Sequence, residues 1–164
     1  MRVYCETFGC TMNRADSELM LGRLAQAGHE VTEKLEDADL ILVNTCAVKG
    51  PTQRRVLKRL EKLRQLDGKN VVVAGCLPLI DIKSIDRLGT FAGIVSCHSL
   101  DSIAEVVSQI SQGKKNVRVL EGASKKVCVP RRYLSDISAP VAICEGCTSN
   151  CSFCCVKFAR GRLR

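Results

Sequence analysis

One stretch of sequence decides the fold, and it reads Leu40-Ile41-Leu42-Val43-Asn44-Thr45-Cys46. Four consecutive apolar residues that end abruptly at polar ones are typical of a strand buried on both faces. Such strands occur in parallel sheets, where helices cover both faces and connect each strand to the next. We therefore expect helix and strand patterns to alternate on either side of this stretch.

Towards the N-terminus, the pattern alternates as expected. Residues 2–8 predict a strand that stops at Gly9 and Cys10. A helix follows, for which Asn13 is the predicted N-cap, and Gly28 is a plausible residue to end it. Residues 29–33 predict a weak strand.

Towards the C-terminus, Pro51 suits the first turn of a helix whose apolar stripe is Val56, Leu60 and Leu63. Strands are predicted at residues 71–74 and 93–96, and helices at 81–88 and 100–110. This alternation predicts a flavodoxin-like, doubly wound parallel α/β domain over residues 1–112.

The remaining residues have a different character. Residues 113–136 are rich in Lys and Arg and predict a basic connector, with one short strand at 117–120. Residues 140–144 predict a strand that opens a second domain at 137–164. The family resemblance described below implies that this domain is the first strand and cluster loop of an incomplete barrel. We expect residues 145–164 to be poorly ordered without metal, because no other element was predicted to pack against them.

Composition limits the classes of function. No export signal and no apolar run of about 20 residues is visible in the sequence, which favours a cytoplasmic protein. In a reducing cytosol, clustered cysteines bind metal more often than they form disulfides, which favours metal binding by the eleven cysteines of this chain. A secreted disulfide scaffold is the alternative. The net charge of +8 favours a polyanionic partner such as nucleic acid.

The spacing Cys147-x3-Cys151-x2-Cys154 aims three thiols at one centre. A [4Fe–4S] cluster takes four ligands, so three thiolates leave one iron open. A structural zinc site, the alternative, normally fills all four positions with Cys or His, and no second pair follows here. Cys155 directly follows Cys154 but is not expected to be a ligand, because consecutive residues in a tight loop point in different directions.

Three further cysteines, Cys10, Cys46 and Cys76, each follow a predicted strand. Ligands of doubly wound sheets bind beyond the carboxyl ends of neighbouring strands, so these thiols are candidates for a second three-cornered cluster site. Cys97 is a competing ligand on a strand further from Cys10. The alternative is that small buried cysteines merely pack well.

Five segments occur in fixed order along the chain: ETFGCTMNRADSE, DADLILVNTCAV, VVVAGC, GCTSNCSFC and ARG. Together they resemble the methylthiotransferase family of radical S-adenosylmethionine enzymes, over essentially the whole chain. The segment CVKFARG is most similar to the branch that acts on N6-threonylcarbamoyladenosine in tRNA. The isopentenyladenosine tRNA branch and the ribosomal-protein aspartate branch are the alternatives.

The resemblance implies two [4Fe–4S] clusters. An auxiliary cluster would be bound by Cys10, Cys46 and Cys76, and a radical-generating cluster would be bound by Cys147, Cys151 and Cys154. It implies S-adenosylmethionine as cofactor, with Phe153 offering backbone near its adenine. An adenosyl radical would remove hydrogen from C2 of the tRNA adenine, and a methylthio group would replace it. An electron donor and a sulfur source of unknown identity are implied as partners.

The second predicted helix carries a basic face, which we interpret as a track for tRNA phosphates made by Arg54, Arg55, Lys58 and Arg59. A merely solvated face is the alternative. Arg160 and Arg162 are candidates for the same role. The rival to an enzyme is a truncated, non-catalytic α/β module that binds metal or RNA, and we expect the 164 residues alone to be inactive.

Overall fold

A single parallel sheet organises the protein in a computed structural model that describes residues 1–48 and 50–164. Its strands pair in the order β2-β1-β3-β4-β5-β6, and every pairing is parallel. Their bounds are Arg2–Thr7 (β1), Glu30–Thr32 (β2), Leu40–Thr45 (β3), Asn70–Gly75 (β4), Gly93–Ser96 (β5) and Val117–Val119 (β6). The predicted α/β fold class and its flavodoxin-like strand order are confirmed.

Helices cover both faces of the sheet. Their bounds are Thr11–Gln26 (α1), Gly50–Arg64 (α2), Leu77–Ile80 (α3), Ile82–Leu88 (α4), Ile103–Ser111 (α5) and Val156–Arg160 (α6), and a 3-10 turn, Leu100–Ser102, precedes α5. Side chains of α1 and α5 pack on one face, and those of α2, α3 and α4 pack on the other. Among the described helices, none is both long enough and apolar enough to cross a bilayer.

The central strand β3 is buried from both sides. Leu40 and Leu42 belong to the core under α1 and α5, whereas Ile41 and Val43 belong to the core under α2. All four side chains are fully inaccessible to solvent. Alternate residues of a strand point to opposite faces, so an unbroken apolar run is what a strand between two helical layers requires.

The start of α1 differs from the prediction. Cys10, and not Asn13, is the N-cap residue, and its side chain makes no capping hydrogen bond. Asn13 lies inside the helix and is fully buried, because its amide group is committed to carbonyls of the neighbouring loops. The predicted end of the helix is correct, since Gly28 follows it with a φ of 81°.

The predicted strand at residues 140–144 is wrong. None of these residues is in a strand, and Val141 and Ile143 are 77% and 90% exposed. A strand exists through hydrogen bonds to a neighbour, and within the described part of the chain no other strand lies beside this segment. The short strand predicted within the connector is confirmed as β6.

The last twenty residues pack against the sheet domain. Glu145, Ala159 and Arg160 are buried, and the Cys97 thiol donates a hydrogen bond to the carbonyl of Ala159 at 3.0 Å. The premise that nothing packs residues 145–164 is therefore wrong. The domain boundaries predicted at 112/113 and 136/137 stay predictions.

Replacing Leu42 with Ala should lower the free energy of unfolding by about 2–5 kcal/mol, because the cavity forms in a strand with core on both faces. Urea denaturation followed by circular dichroism measures this change. Leu66→Ala is the matched control, since Leu66 is 39% exposed, and it should change the free energy of unfolding by less than about 1 kcal/mol. Equal effects of the two substitutions would contradict the central position of β3.

Candidate functional site

The candidate site lies at the carboxyl edge of the sheet, where three neighbouring strands end together. Thr7 of β1 pairs with Asn44 of β3, and Thr45 of β3 pairs with Gly75 of β4. The ladder extends one residue beyond two of these strands, with Phe8 N donating to Asn44 O at 2.9 Å and Cys76 N donating to Thr45 O at 3.0 Å. The loops that follow these strands therefore start side by side.

Cys10, Cys46 and Cys76 lie on these loops and line a single cavity of about 580 Å³. Cys10 is exposed, whereas the other two thiols are buried. Arg55 of α2 and Arg160 of α6 line the same cavity. We call these three cysteines the sheet triad.

Asn13 holds the loops of the sheet triad together. Its Nδ2 donates to the carbonyl oxygens of Phe8 at 2.7 Å and Thr45 at 3.0 Å. Its Oδ1 lies 3.9 Å from the sulfur of Cys10 and 3.7 Å from that of Cys76. One buried amide therefore connects the end of β1, the end of β3 and two of the thiols.

Gly9 allows the first loop to approach Cys46. Its φ is 111°, and a Cβ at this position would lie 2.6 Å from the Cβ of Cys46. Both facts exclude an ordinary side chain here. The glycine before Cys10 thus permits the close contact between the loops after β1 and β3.

Cys97, the predicted competitor, lies directly beside Cys76, as expected from the pairing of Gly75 with Ser96. The neighbouring Cys97 thiol raises the pKa of Cys76, and burial raises it further. The Cys76 thiol in turn lowers the pKa of Cys97, against the opposing effect of burial. The positive charge of Arg160 lowers the pKa of both thiols.

The other cysteines divide into those near the cavity and those away from it. Cys144 lines the cavity of the sheet triad. Cys155, predicted not to be a ligand, turns away from the second triad and donates to the carbonyl of Ala47 at 3.8 Å. Cys5 lies in β1, where burial raises the pKa of its thiol to about 11.

Cys147, Cys151 and Cys154 line a second, separate cavity of about 230 Å³. We call them the loop triad. The amide of Ser149 donates to the sulfur of Cys147 at 3.4 Å. Phe153 is 91% exposed and is not part of the cavity wall.

Within residues 1–48 and 50–164, no three His, Cys, Asp or Glu side chains converge tightly enough for one metal ion.

A buried group of four charges lies beneath the sheet triad, and the sequence reasoning missed it. Its members are Asp16, Lys126, Glu145 and Arg160, none more than 9% exposed. The sequence predicts that Lys126 belongs to a basic connector and that Arg160 contacts phosphate, but in the structure both are paired with carboxylates. Charge runs in sequence do not reveal such pairing, because the partners are far apart along the chain.

The ionisation of Glu145 reflects this group. Burial by itself opposes its ionisation, but hydrogen bonds from Lys126 and Arg160 and their positive charges lower its pKa to about 2. Asp16 in turn raises the pKa of Arg160, against the opposing effect of burial. Glu145 and Arg160 are therefore charged near neutral pH.

The basic face predicted on α2 is partly neutralised. Arg54, Arg55 and Lys58 are exposed, and among the described residues none of them forms an ion pair with a carboxylate. Arg59 instead makes a bidentate ion pair with Glu6, with Nε to Oε2 at 2.9 Å. Contact between these residues and RNA stays a prediction. Of the four basic residues, Arg59 is the one whose charge is offset by a carboxylate, that of Glu6.

Stability should fall in acid through Glu145. Its carboxyl has an ordinary pKa of 4.5 and a folded value of about 2, so its contribution is complete above about pH 4.5 and disappears as the pH falls towards 2. Between pH 6 and pH 3 this one group should remove about 2 kcal/mol of unfolding free energy. Urea titrations at several pH values measure the slope, which should be shallower in Glu145→Gln. An unchanged slope would show that Glu145 titrates alike in both states.

Comparison with known proteins identifies a family and several relatives for this chain. The model of uncharacterized protein family UPF0004 matches residues 2–96. A probable threonylcarbamoyladenosine tRNA methylthiotransferase of Methanothermobacter thermautotrophicus is 40% identical over 165 residues, which cover 100% of this chain and 39% of that protein. The human threonylcarbamoyladenosine tRNA methylthiotransferase is 32% identical, over 99% of this chain and 29% of that protein.

A third relative carries a different name. The tRNA-2-methylthio-N(6)-dimethylallyladenosine synthase of Christiangramia forsetii is 31% identical, over 99% of this chain and 36% of that protein. The chain thus spans well under half the length of these curated relatives. The family match covers more than half of the chain, which therefore belongs to protein family UPF0004, and the resemblance to methylthiotransferases drawn from its motifs is confirmed.

Proposed function

We propose that this chain is part of a tRNA methylthiotransferase that adds a 2-methylthio group to N6-threonylcarbamoyladenosine beside the anticodon. The proposed reaction uses radical S-adenosylmethionine chemistry and two [4Fe–4S] clusters. The names of the similar archaeal and human proteins support the nucleoside and the reaction. The activity is proposed for a whole protein as long as the curated relatives. We also propose a cytosolic location, because tRNA is the proposed substrate.

The observation that carries the proposal is that six cysteines form two separate triads, each around its own cavity. Thiolates are the usual ligands of iron–sulfur clusters, and three of them leave one iron free for another ligand. The residues present therefore fit two such clusters in donor type and number. Gly9 supports the fit at the sheet triad, because a side chain there would occupy the space beside Cys46.

When bound, such clusters and S-adenosylmethionine supply a radical that removes hydrogen from an unreactive C–H bond, together with the sulfur and methyl group that replace it. The sheet triad and the loop triad would each hold one cluster through their thiolates. Asn13 contacts the sulfurs of Cys10 and Cys76 and so orients two ligands of the sheet triad. Arg55 places a positive charge on the wall of the larger cavity.

A second substrate, N6-dimethylallyladenosine in tRNA, deserves separate mention because one relative bears that name. The relative from Methanothermobacter thermautotrophicus has higher identity, 40% against 31%, and favours the threonylcarbamoyl nucleoside. The segment Lys157-Phe158-Ala159-Arg160-Gly161 favours the same branch, through the resemblance already described. A non-catalytic metal-binding or RNA-binding module remains the rival from a different class.

Anaerobic reconstitution with iron and sulfide tests the two triads directly. We expect about eight irons and eight sulfides per chain, as two four-iron clusters require. Cys46→Ala and Cys151→Ala should each reduce the iron and sulfide content to about half, because each removes one ligand from a different triad. Iron and sulfide analysis, with electron paramagnetic resonance after reduction, measures the result.

Cys5→Ala, Cys97→Ala and Cys155→Ala are the matched controls, since these cysteines lie outside both triads and should keep the full iron content. Zinc in place of iron, or no metal at all, would support the non-catalytic module. Loss of a cluster in Cys97→Ala would instead assign Cys97 to the sheet triad.

The exposed basic residues of α2 should contact tRNA phosphates. Reversing Arg54, Arg55 and Lys58 to Glu should weaken tRNA binding by about tenfold or more at low salt and flatten its salt dependence, because fewer counterions are released on binding. Fluorescence anisotropy over a salt series measures both effects.

Reversal of Lys114 and Lys115 provides the control, since these exposed residues follow α5 near the opposite end of the sheet from the cysteines. This control should leave both the affinity and the salt slope close to those of the unaltered chain. If the α2 variant also keeps the original salt slope, its basic face is only a solvated surface.

A further inference from the structure

The four buried charges connect parts of the chain that are distant in sequence. Asp16 lies in α1, Lys126 lies in the connector, and Glu145 and Arg160 lie on either side of the loop triad. Lys126 Nζ donates to Asp16 Oδ1 at 2.9 Å and to Glu145 Oε1 at 2.8 Å. Arg160 Nη1 donates to Asp16 Oδ2 at 2.5 Å and to Glu145 Oε1 at 2.9 Å.

Arg160 also reaches the sheet triad. Its Nη2 donates to Asn13 Oδ1 at 2.6 Å, the same oxygen that lies near the sulfurs of Cys10 and Cys76. Asn13 and Asp16 are one turn apart on α1, which begins directly after Cys10. One arginine therefore contacts both the amide that orients the sheet triad and the carboxylate that anchors the charge group.

The two ends of the loop-triad segment are joined to each other as well. Glu145 N donates to Arg164 O and Arg164 N donates to Glu145 O, both at 2.9 Å. Cys147 N donates to Gly161 O at 3.2 Å. The segment is therefore a closed loop, and its base carries the two side chains that enter the charge group.

We propose that Asp16, Lys126, Glu145 and Arg160 form a positioning network that locks the closed loop bearing the loop triad onto the sheet edge bearing the sheet triad. The network fixes the separation and relative orientation of the two cysteine sites. This inference rests on the proposed function, in which two sites act on one substrate atom. It concerns only side chains of this chain and needs no bound group.

Charge balance makes the network suitable for this role. Two carboxylates and two cations lie together in a place with almost no solvent access, and the more exposed Arg164 also pairs with Glu145 Oε2 at 3.2 Å. Removing one member leaves an uncompensated buried charge, whereas removing one cation and one carboxylate together restores neutrality. If the network acts through balanced charge, the double variant should be closer to the unaltered chain than either single variant. If the region acts only by packing, the double variant should be more disturbed than either single variant.

Hydrogen–deuterium exchange of the metal-free chain tests the proposal. In the unaltered chain, the amides of Cys147 and Arg164 should be protected by the loop's hydrogen bonds. Lys126→Met and Glu145→Gln should each speed their exchange by about 100-fold, the effect expected from breaking one partner of a buried ion pair. The double variant should exchange more slowly than either single variant.

Asp86→Asn is the matched control, because it breaks the exposed ion pair between Asp86 of α4 and Arg118 of β6 and should leave the exchange at Cys147 and Arg164 unchanged. Amides of β3 should stay protected in every variant, which separates loss of the lock from unfolding. Unchanged exchange in both single variants, or faster exchange in the double than in either single, would overturn the network. Neither outcome depends on the iron counts, so the cluster assignment is tested separately.

Discussion

The constraint on which the rest of the structure depends is the parallel register of β1, β3 and β4. In this register the three strands end at the same height, and the loops that follow them begin side by side. A parallel ladder keeps this alignment along its whole length because every pair of neighbours shares evenly spaced hydrogen bonds. Three cysteines separated by dozens of residues therefore meet around one cavity without any local motif.

Buried polar side chains fix the loops that follow these strands. Asn44 donates to the backbone carbonyl of Asn13 at 2.7 Å, and Asn13 donates to the carbonyls at the ends of β1 and β3. Polar groups without access to water must find partners, so each of these contacts excludes alternative loop conformations. The rigid sheet edge and the charged group beneath it thus support each other through Asn13.

The sequence allowed prediction of those features that depend on local pattern. The apolar run at residues 40–43 and the helical stripe of Val56, Leu60 and Leu63 predicted β3 and α2 correctly, since burial selects residue type at each position. The flavodoxin-like strand order places β1, β3 and β4 side by side, which is why the cysteines of the sheet triad were predicted to be neighbours.

Features that depend on distant partners were not predictable in this way. Lys126 and Arg160 look like any exposed basic residue, and only folding brings Asp16 and Glu145 beside them. Residues 140–144 have the composition of a strand, but a strand also requires a neighbour to bond with. Asn13 has the residue type of a helix cap, yet two carbonyls from other loops compete successfully for its amide.

The two outer strands have a consequence for association between molecules. β2 and β6 contain three residues each, so the sheet offers few free backbone groups at either margin. Short outer strands discourage a second molecule from adding its own strand, the usual first step of edge-to-edge aggregation. The sheet therefore presents little free backbone with which a second copy of the chain could pair.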